Sequence, residues 1–229
     1  IENSLEGSVN DTLDLLIHKT SLFIRRELVL AIEHCLLVKP GTREADIRAI
    51  YSHPQALAQC RQFMENRFPE AAPMAALSTG AAAESVTRNN EKTAAAIGTL
   101  RAAELYGLEV LAKGIQDNPS NETRFVVLGH TDHAPTGDDK TSLGFSFDDD
   151  RPGLLFGVMG EFAKRGINLA KVESRPTKQS LGRYVFLIDL DGHRDDPEVK
   201  QALDFVRKQS SMLKIFGSYP RYAGSKDSQ

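Results

Sequence analysis

The sequence has few of the residues that build metal sites and disulfide frameworks. Its two cysteines, Cys35 and Cys60, lie far apart and form no Cys-x-x-Cys pair, and its six histidines include no His-x-x-x-His pair. This scarcity argues against a disulfide framework and a zinc site, and it leaves metal chemistry without a ligand set. Two isolated thiols are typical of a protein that stays reduced, so we expect a cytoplasmic location and no metal.

A strong charge imbalance and long apolar runs are also missing. The net charge of −3 on 229 residues gives no electrostatic reason to bind nucleic acid or an anionic membrane. No apolar run approaches the roughly 20 residues that span a bilayer. Hydrophobic residues make up 41% of the sequence and charged residues 26%, which is typical of a globular protein with one or two domains. We therefore expect no nucleic-acid partner and no membrane contact.

The first half of the chain alternates between apolar runs and helical patterns. An amphipathic pattern predicts a helix from Asn10 to Ile17, and residues 22–38 are rich in Ile, Leu and Val, which predicts extended strands. The pattern then predicts strands at residues 47–51, 74–77, 93–97 and 108–111, separated by helices at residues 54–68, 78–88 and 99–106. Repeated β-α units predict the α/β class, with a largely parallel sheet flanked by helices.

Two of these helices are preceded by short polar turns. Ser52-His53-Pro54 and Ser78-Thr79-Gly80 both stand where a strand turns into a helix. Free N–H groups and the positive end of the helix dipole make such turns anion-binding sites. The alternative is that Ser52 and Ser78 are only helix caps. Two such turns at one sheet edge favour a site that binds a carboxylate.

Another polar stretch leads into a strand. Residues 121–125 (Asn-Glu-Thr-Arg-Phe) precede the apolar residues 126–129, which is the pattern of a loop that feeds a buried strand. The loop brings the hydroxyl of Thr123 and the guanidinium of Arg124 to the mouth of the strand, where α/β folds bind ligands. The alternative is that Thr123 only begins the strand and that Arg124 is solvated.

The last part of the chain predicts a separate small domain. Residues 131–139 are polar, contain Pro135 and Gly137, and have the pattern of a linker. Residues 140–222 then follow the order strand, helix, strand, strand, helix, strand, which predicts a ferredoxin-like βαββαβ sandwich. Residues 223–229 are predicted to form a tail.

Four motifs resemble those of the prephenate dehydratase family, and they occur in that family's order. Thr123-Arg124-Phe125 resembles its Thr-Arg-Phe catalytic motif, and Glu173-Ser174-Arg175-Pro176 resembles the signature of its ACT domain. Ile1-Glu2-Asn3-Ser4, and Ser52-His53-Pro54-Gln55 with Gln59-Cys60, resemble motifs of its catalytic domain. The resemblance covers essentially the whole chain.

The resemblance implies a two-lobed catalytic domain of the periplasmic-binding-protein type, with the active site between its lobes, followed by an ACT domain. The implied boundaries are residues 1–130 for the catalytic domain, with residues 1–22 and 117–130 in one lobe and residues 23–116 in the other, and residues 140–222 for the ACT domain. The family's opening strand and glycine-rich turn, which precede Ile1-Glu2-Asn3, are absent from the catalytic domain. We therefore expect an N-terminally truncated first lobe and no activity from these 229 residues alone.

The resemblance also implies a reaction that needs no cofactor. Prephenate loses CO2 and hydroxide together to form phenylpyruvate, and aromatisation supplies the driving force. Thr123 is then the catalytic residue, which stabilises the departing hydroxide. The residues that the resemblance implies in binding prephenate are Glu2, Asn3, Ser52, Gln59, Ser78, Thr79, Arg124 and Phe125.

Phenylalanine is the effector that the resemblance implies, bound by the ACT domain at an interface of a homodimer or homotetramer. The implied binding residues are Gly153, Leu154, Leu155, Phe156, Asn168, Glu173, Ser174, Arg175 and Pro176. The family's Gly-Ala-Leu-Val is Gly-Leu-Leu-Phe in this chain, at residues 153–156. Leucine in place of alanine is expected to narrow the effector pocket.

Two alternatives stay open. An arogenate dehydratase acts on a substrate that differs by an amino group, and the sequence does not distinguish the two. A phenylalanine-binding regulatory protein with an inactive catalytic lobe is the alternative from another class. The intact Thr123-Arg124-Phe125 motif favours the enzyme.

Overall fold

A computed structural model describes residues 1–88, 92–149, 151–178 and 182–224 of the chain. Of the predicted tail, residues 225–229 lie outside the described residues. The chain packs into two compact units. Unit one consists of residues 1–30 and 123–229, and unit two consists of residues 31–122.

Strands and helices alternate through most of the chain. The strands are β1 (Glu2–Asn3), β2 (Gly7–Ser8), β3 (Phe23–Ala31), β4 (Cys35–Val38), β5 (Ala49–Ser52), β6 (Ala72–Ala75), β7 (Ala94–Gly98), β8 (Glu109–Lys113), β9 (Glu122–Gly129), β10 (Asp139–Ser146), β11 (Leu169–Pro176), β12 (Tyr184–Asp191) and β13 (Met212–Pro220). The helices are α1 (Asn10–Asp14), which continues as a π-helix (Leu15–Lys19), α2 (Pro54–Gln59), α3 (Arg61–Arg67), α4 (Thr79–Arg88), α5 (Leu100–Tyr106), α6 (Leu154–Lys164) and α7 (Pro197–Gln209), with a 3-10 turn at Glu44–Asp46.

The sheet of unit two is mixed, which corrects the prediction of a largely parallel sheet. Its strand order is β6-β5-β7-β4-β8, and β5 pairs in parallel with both β6 and β7. The central strand β4 pairs antiparallel with β7 and with β8. The chain enters β4 from β3, which belongs to another sheet, so no β-α-β crossover fixes the direction of β4. The strands that do follow helices keep the direction that the alternation predicts.

The two central strands of unit two are buried on both faces. All four residues of β4 and all five of β7 are buried, so neither strand alternates between apolar and polar residues. Cys35 and Leu37 pack into one hydrophobic cluster, whereas Leu36 and Val38 pack into another on the opposite face. Small alanine side chains on β7, α4 and α5 let the helices lie close to the sheet.

The predicted helix over residues 54–68 is two helices in the structure. Pro54 stands at the first position of α2, as predicted, and the Nδ1 atom of His53 accepts a hydrogen bond of 3.3 Å from the backbone N–H of Gln55. The backbone leaves helical geometry at Cys60, with φ −119° and ψ 22°. Cys60 is fully buried there, and α3 begins directly after it.

Unit one contains the predicted βαββαβ sandwich. Its sheet has the order β11-β12-β10-β13, with every pair antiparallel, which is the ferredoxin-like arrangement. Helices α6 and α7 cover one face through a core that includes Leu143, Phe145 and Phe162. The α/β class and the ferredoxin-like fold of the C-terminal domain are confirmed.

The opposite face of this sheet packs against the N-terminal part of unit one. Leu16 and Ile24 share a hydrophobic cluster with Leu187 and Phe216 of the sandwich. Gly217 permits the closest approach, because a Cβ atom there would lie 2.2 Å from the carbonyl oxygen of Ile24. The second sheet of unit one, with the order β2-β1-β9-β3, therefore lies directly beside the sandwich.

The longest helix of the described residues is α7 (Pro197–Gln209). None of the described helices is long and apolar enough to cross a bilayer.

Candidate active site

Thr123 lies near the start of β9 in unit one, where a short strand holds it from the side. Asn3 of β1 pairs with Thr123 in antiparallel register, and Asn3 Nδ2 donates a hydrogen bond of 3.0 Å to Thr123 Oγ1. The orientation of the Asn3 amide is fixed because its Oδ1 accepts from the backbone N–H groups of Leu5 and Glu6, at 2.9 and 3.0 Å. The Thr123 oxygen therefore acts as an acceptor toward Asn3, and its own proton can be donated to another group.

The side chains of β9 alternate between an open face and a packed face. Phe125 and Val127 follow Thr123 at intervals of two, so they share its face of the strand. Both are substantially exposed, at 43% and 46%. Val126, on the other face, packs against the cluster between the N-terminal segment and the sandwich. The Thr123 hydroxyl thus lies on the open face, beside an exposed aromatic ring.

Arg124 points to the packed face of β9, and its predicted role in binding substrate stays a prediction. Its Nε and Nη1 atoms donate to Glu27 and Asp189 at 2.7 Å each, and Nη2 donates to the Tyr219 hydroxyl at 2.8 Å. Glu2 lies 3.4 Å from Nη1 at the rim. The guanidinium is already engaged by carboxylates, and it points away from the Thr123 hydroxyl.

Two further residues, Lys140 and Ser142, contact the side chains around Arg124. Lys140 Nζ donates to both carboxylate oxygens of Glu27, at 2.8 and 3.0 Å. Ser142 donates to Asp189 Oδ1 at 2.5 Å, so the 2.6 Å contact between Ser142 and Tyr219 has the phenol as donor. We call Arg124, Glu27, Lys140, Asp189 and Tyr219 the Arg124 network.

The network fixes the ionisation of its members. Burial alone would disfavour a charged guanidinium, but Asp189 and Glu27 outweigh it, and the pKa of Arg124 lies above its ordinary value. Burial likewise opposes the charge of Glu27, but Lys140 and Arg124 reverse the effect and lower its pKa. Burial and the Asp189 charge raise the pKa of Tyr219, so the phenol stays protonated.

In unit two, Gln59 is held by two residues that the sequence analysis did not identify. Gln59 Oε1 lies 2.9 Å from His34 Nε2 and accepts from Asn121 Nδ2 at 3.1 Å. With its carbonyl oxygen occupied, Gln59 can offer only its amide N–H groups to a ligand. His34 is buried and lies just before the apolar β4, so no local pattern marks it. Asn121 is also buried, and its place directly before Glu122-Thr123 is the one signal that could have identified it.

The two predicted anion-binding turns differ in the structure. Ser52 is fully buried, and its hydroxyl donates to the carbonyl of Ile97 at 2.8 Å, so it ties β5 to β7. Ser78 is exposed and caps α4 by accepting a hydrogen bond of 3.0 Å from the backbone N–H of Ala81. Thr79 is the first residue of α4. Because β5 and β6 are parallel neighbours, both turns lie at the same edge of the sheet. Their roles in binding substrate stay predictions.

Four of the predicted effector residues line one cavity of the sandwich. Gly153, with φ +89°, precedes α6, and the residues from Gly153 to Phe156 line a surface cavity of about 190 Å³. Tyr184 and Phe186 contribute aromatic walls and Arg183 a positive charge. Phe156 is 80% exposed.

The side chains of Glu173 and Arg175 do not line this cavity, and the predicted role of residues 173–176 in effector binding stays a prediction. Both occupy alternate positions of β11, and they point to the N-terminal segment. Glu173 accepts from Ser8 at 2.6 Å, and Arg175 contacts Asn10 and lies 3.1 Å from Asp14. Ser174 and Pro176, the other two residues of the motif, are exposed on the other face.

Asn168 also has a structural partner. Its Nδ2 atom donates to Asp191 Oδ2 at 3.0 Å, across the pair of strands β11 and β12. Asn168 is absent from the lining of the cavity at Gly153. A role in effector binding stays a prediction for Asn168, as it does for the residues from Gly153 to Phe156.

Neither cysteine has the environment of a nucleophile. Cys35 and Cys60 are buried free thiols. Burial, together with the charge of Asp117, raises the pKa of Cys60 to about 12, which keeps it protonated at neutral pH.

Two family models match the chain. A model described as prephenate dehydratase matches residues 1–133, and one described as ACT domain matches residues 145–207. A curated relative, the bifunctional chorismate mutase/prephenate dehydratase of Neisseria gonorrhoeae, is 43% identical over 220 residues, which are 96% of this chain and 60% of the relative. The chain thus spans about 60% of the length of the first curated relatives it matches.

The chain is also similar to solved structures. A prephenate dehydratase from Arthrobacter aurescens, solved in complex with L-Phe, is 40% identical with a TM-score of 0.86, covering 94% of this chain and 72% of that chain. GqqA, described as a novel type of quorum quenching acylase, is 35% identical with a TM-score of 0.87, covering 97% of this chain and 81% of that chain.

Proposed function

The chain belongs to the prephenate dehydratase family, and on that ground we propose that its reaction is the decarboxylating dehydration of prephenate to phenylpyruvate. The bond between the ring and its carboxylate breaks and releases CO2. The freed electron pair completes the aromatic ring, and the C–O bond opposite breaks with its pair on oxygen. Hydroxide leaves and becomes water when it takes a proton.

The observation that carries this proposal is the hydrogen bond from Asn3 to Thr123. Because Asn3 donates to Thr123 Oγ1 at 3.0 Å, the threonine proton is directed away from Asn3 and toward the open face of β9. A departing hydroxide on that face receives the hydrogen bond, and proton transfer accompanies C–O cleavage. One preorganised donor of this kind is worth on the order of 3 kcal/mol.

The anionic groups of prephenate need hydrogen-bond donors. Gln59 offers its amide N–H groups, since His34 and Asn121 occupy its carbonyl oxygen. The start of α4 at Ser78 and Thr79 supplies backbone N–H groups and the positive end of a helix dipole. The exposed ring of Phe125, beside Thr123, offers apolar surface to the substrate ring.

We further propose regulation by phenylalanine at the cavity between Gly153 and Phe156. The N–H groups at the start of α6 suit a carboxylate, and Leu154, Leu155 and the aromatic walls suit a phenyl ring. The exposed Phe156 is consistent with a site that a second copy of the chain completes, in a homodimer or homotetramer. A cytoplasmic location and the division at residues 131–139 into catalytic and ACT domains belong to the same proposal.

The test is a pair of substitutions at Thr123, assayed by the ultraviolet absorbance of phenylpyruvate. Thr123→Ala should lower kcat by about two or more orders of magnitude and leave KM little changed, because a donor to the leaving oxygen acts in the transition state. Thr123→Ser keeps the hydroxyl and should be much milder. Near-normal turnover by Thr123→Ala would remove this residue from the mechanism.

The assay should cover the 229 residues alone and the longest natural form of the protein. Turnover of arogenate in preference to prephenate would make the protein an arogenate dehydratase. Binding of phenylalanine without turnover of either substrate would favour the regulatory protein. Quorum-quenching acylase activity, which is what the description of GqqA names, would replace the proposal.

A further inference from the structure

We propose that Arg124 is a positioning residue that fastens the strand of Thr123 to the sandwich, and that it is not a substrate ligand. The inference rests on the proposed function, which gives Thr123 its role. Nothing in the family's Thr-Arg-Phe pattern distinguishes these two roles, because both place an arginine beside the catalytic threonine. The geometry of the side chain distinguishes them.

The Arg124 side chain points to the face of β9 opposite to that of Thr123. Successive side chains of a strand point to opposite faces, so Arg124 and Thr123 cannot both face one small substrate. Arg124 is 13% exposed, and it faces Asp189 of β12 and Tyr219 of β13. The Cα atoms of neighbouring strand residues are separated by about 3.3 Å along the strand, so fixing one position strongly limits the other.

The positive and negative charges of the Arg124 network balance within the protein. Two cations, Arg124 and Lys140, meet two buried carboxylates, Glu27 and Asp189. The core of the network is therefore neutral without any ligand. Glu2 already adds a third carboxylate 3.4 Å from Arg124 Nη1, so a substrate carboxylate would be a further negative charge and would have to displace a 2.7 Å ion pair, which disfavours Arg124 as an anion receptor.

The other residues of the Arg124 network belong to several different strands. Glu27 belongs to β3, next to β9, whereas Lys140, Asp189 and Tyr219 belong to three different strands of the sandwich. Arg124 is thus the point at which β9 is joined to β10, β12 and β13 by charge and hydrogen bonds. A displacement of the sandwich is transmitted through this side chain to the backbone next to Thr123.

Hydrogen exchange measured by mass spectrometry on the 229-residue chain tests the inference without any turnover. Arg124→Met and Asp189→Asn should speed the exchange of the amides of residues 125–129 by at least about tenfold, because each leaves a buried charge unpaired. Exchange in β4 of unit two should not change. The matched control is Arg67→Met, which breaks the exposed pair of Arg67 with Glu44 and should leave β9 unchanged.

Unchanged exchange in β9 for both variants would overturn the inference. An increase that extends equally to β4 would also overturn it, since a positioning contact acts locally. If Arg124→Met does not fold, Tyr219→Phe decides. It keeps the ring and removes one acceptor of Arg124, so faster exchange confined to unit one is expected and unchanged exchange contradicts the inference.

Steady-state kinetics on the active form of the protein separate the two roles of Arg124. A positioning residue predicts that Arg124→Met lowers kcat by about tenfold or more with KM changed less than about threefold, and that Arg124→Lys recovers part of the loss. A substrate ligand predicts a large rise in KM instead, and that result would overturn the inference. The Thr123 variants test the proposed function separately, so the two failures can be told apart.

Discussion

The two units of this chain handle charge in opposite ways. Among the residues that the structure describes, the ion pairs of unit two are exposed and join helices and turns at the surface, as in the pair of Arg101 with Glu104, whose side chains are 79% and 57% exposed. In unit one, Glu27 is 2% exposed and carries two cationic partners. Unit two is held together by apolar contacts on both faces of one sheet, whereas unit one also depends on buried charge.

The difference follows from what each unit has to join. Unit two is one continuous stretch of chain, so its helices pack on strands that are close in sequence. Unit one joins an N-terminal segment to a C-terminal sandwich across a long interruption. Buried ion pairs add little net stability but penalise wrong partners strongly, because an unmatched charge is left without water. We infer that the Arg124 network specifies the register in which these distant segments meet.

The largest effect is expected for Glu27→Gln. The change keeps the shape of the side chain but leaves Arg124 and Lys140 with one carboxylate fewer in a buried site, and breaking such a pair costs about 3–5 kcal/mol. The free energy of unfolding, measured by hydrogen exchange of unit one, should fall by an amount of that order.

The matched control for that change is Glu104→Gln in unit two. Its partner Arg101 is exposed, so the free energy of unfolding should change by less than about 0.5 kcal/mol. Equal effects of the two substitutions would erase the contrast between the units.

A smaller loss is expected where the backbones of unit one meet. A Cβ atom at Gly217 would lie 2.2 Å from the carbonyl oxygen of Ile24, so Gly217→Ala must push β13 and β3 apart, at a cost of about 1–3 kcal/mol. Gly160→Ala is the control, because a Cβ atom in that helical position meets nothing within 4 Å. Alanine there should stabilise the protein by about 0.5–1 kcal/mol. Urea denaturation of both variants measures the difference, and a stable Gly217→Ala protein would contradict the close contact.

The two units also show which features of the fold the sequence predicts and which it does not. The apolar runs of unit two and the strand-helix order of the sandwich are local patterns, and they predicted the α/β class and the ferredoxin-like fold. The antiparallel direction of β4 was not predicted, because the direction of a strand depends on how the chain connects it to the sheet and not on its composition. The partners of Arg124 and the neighbours of Gln59 come from distant parts of the chain, and no local period records such pairs.

The candidate site was predictable to a similar degree. Asn3 and Thr123 were predicted from two separate motifs, and the register of β1 with β9 brings these two residues together. The motifs could not show that Arg124 and Glu173 contact other side chains of unit one, because the face that a strand residue occupies depends on the sheet around it. A one-residue change of register reverses that face.

Acid should affect unit one more than unit two. The folded-state pKa of Glu27 lies below its ordinary value, so its stabilising contribution is complete above about pH 4.5 and is lost as the pH falls through the folded pKa. In unit two, Glu44 and Asp46 also have lowered pKa values, but both are partly solvated and their pairs are screened. Hydrogen exchange at pH 7 and pH 3.5 should show the greater loss of protection in β9 and β10. The effect should be smaller than that of Glu27→Gln, since the lowered pKa keeps Glu27 ionised to a lower pH than an ordinary glutamate. Equal losses in β4 and β9 would contradict this assignment.

The smallest effects concern two helix caps of unit two, and they separate a structural role of Ser78 from a functional one. Ser78 Oγ accepts from the Ala81 N–H at 3.0 Å, and Thr99 Oγ1 accepts from the Ala102 N–H at 3.2 Å, so both residues cap helices at the same edge of the sheet. Ser78→Ala and Thr99→Ala should each lower the free energy of unfolding by about 1 kcal/mol. Only Ser78→Ala should also raise the KM for prephenate, by about three- to tenfold, if the start of α4 binds a substrate carboxylate. Equal KM values for the two variants would leave Ser78 a helix cap and nothing more.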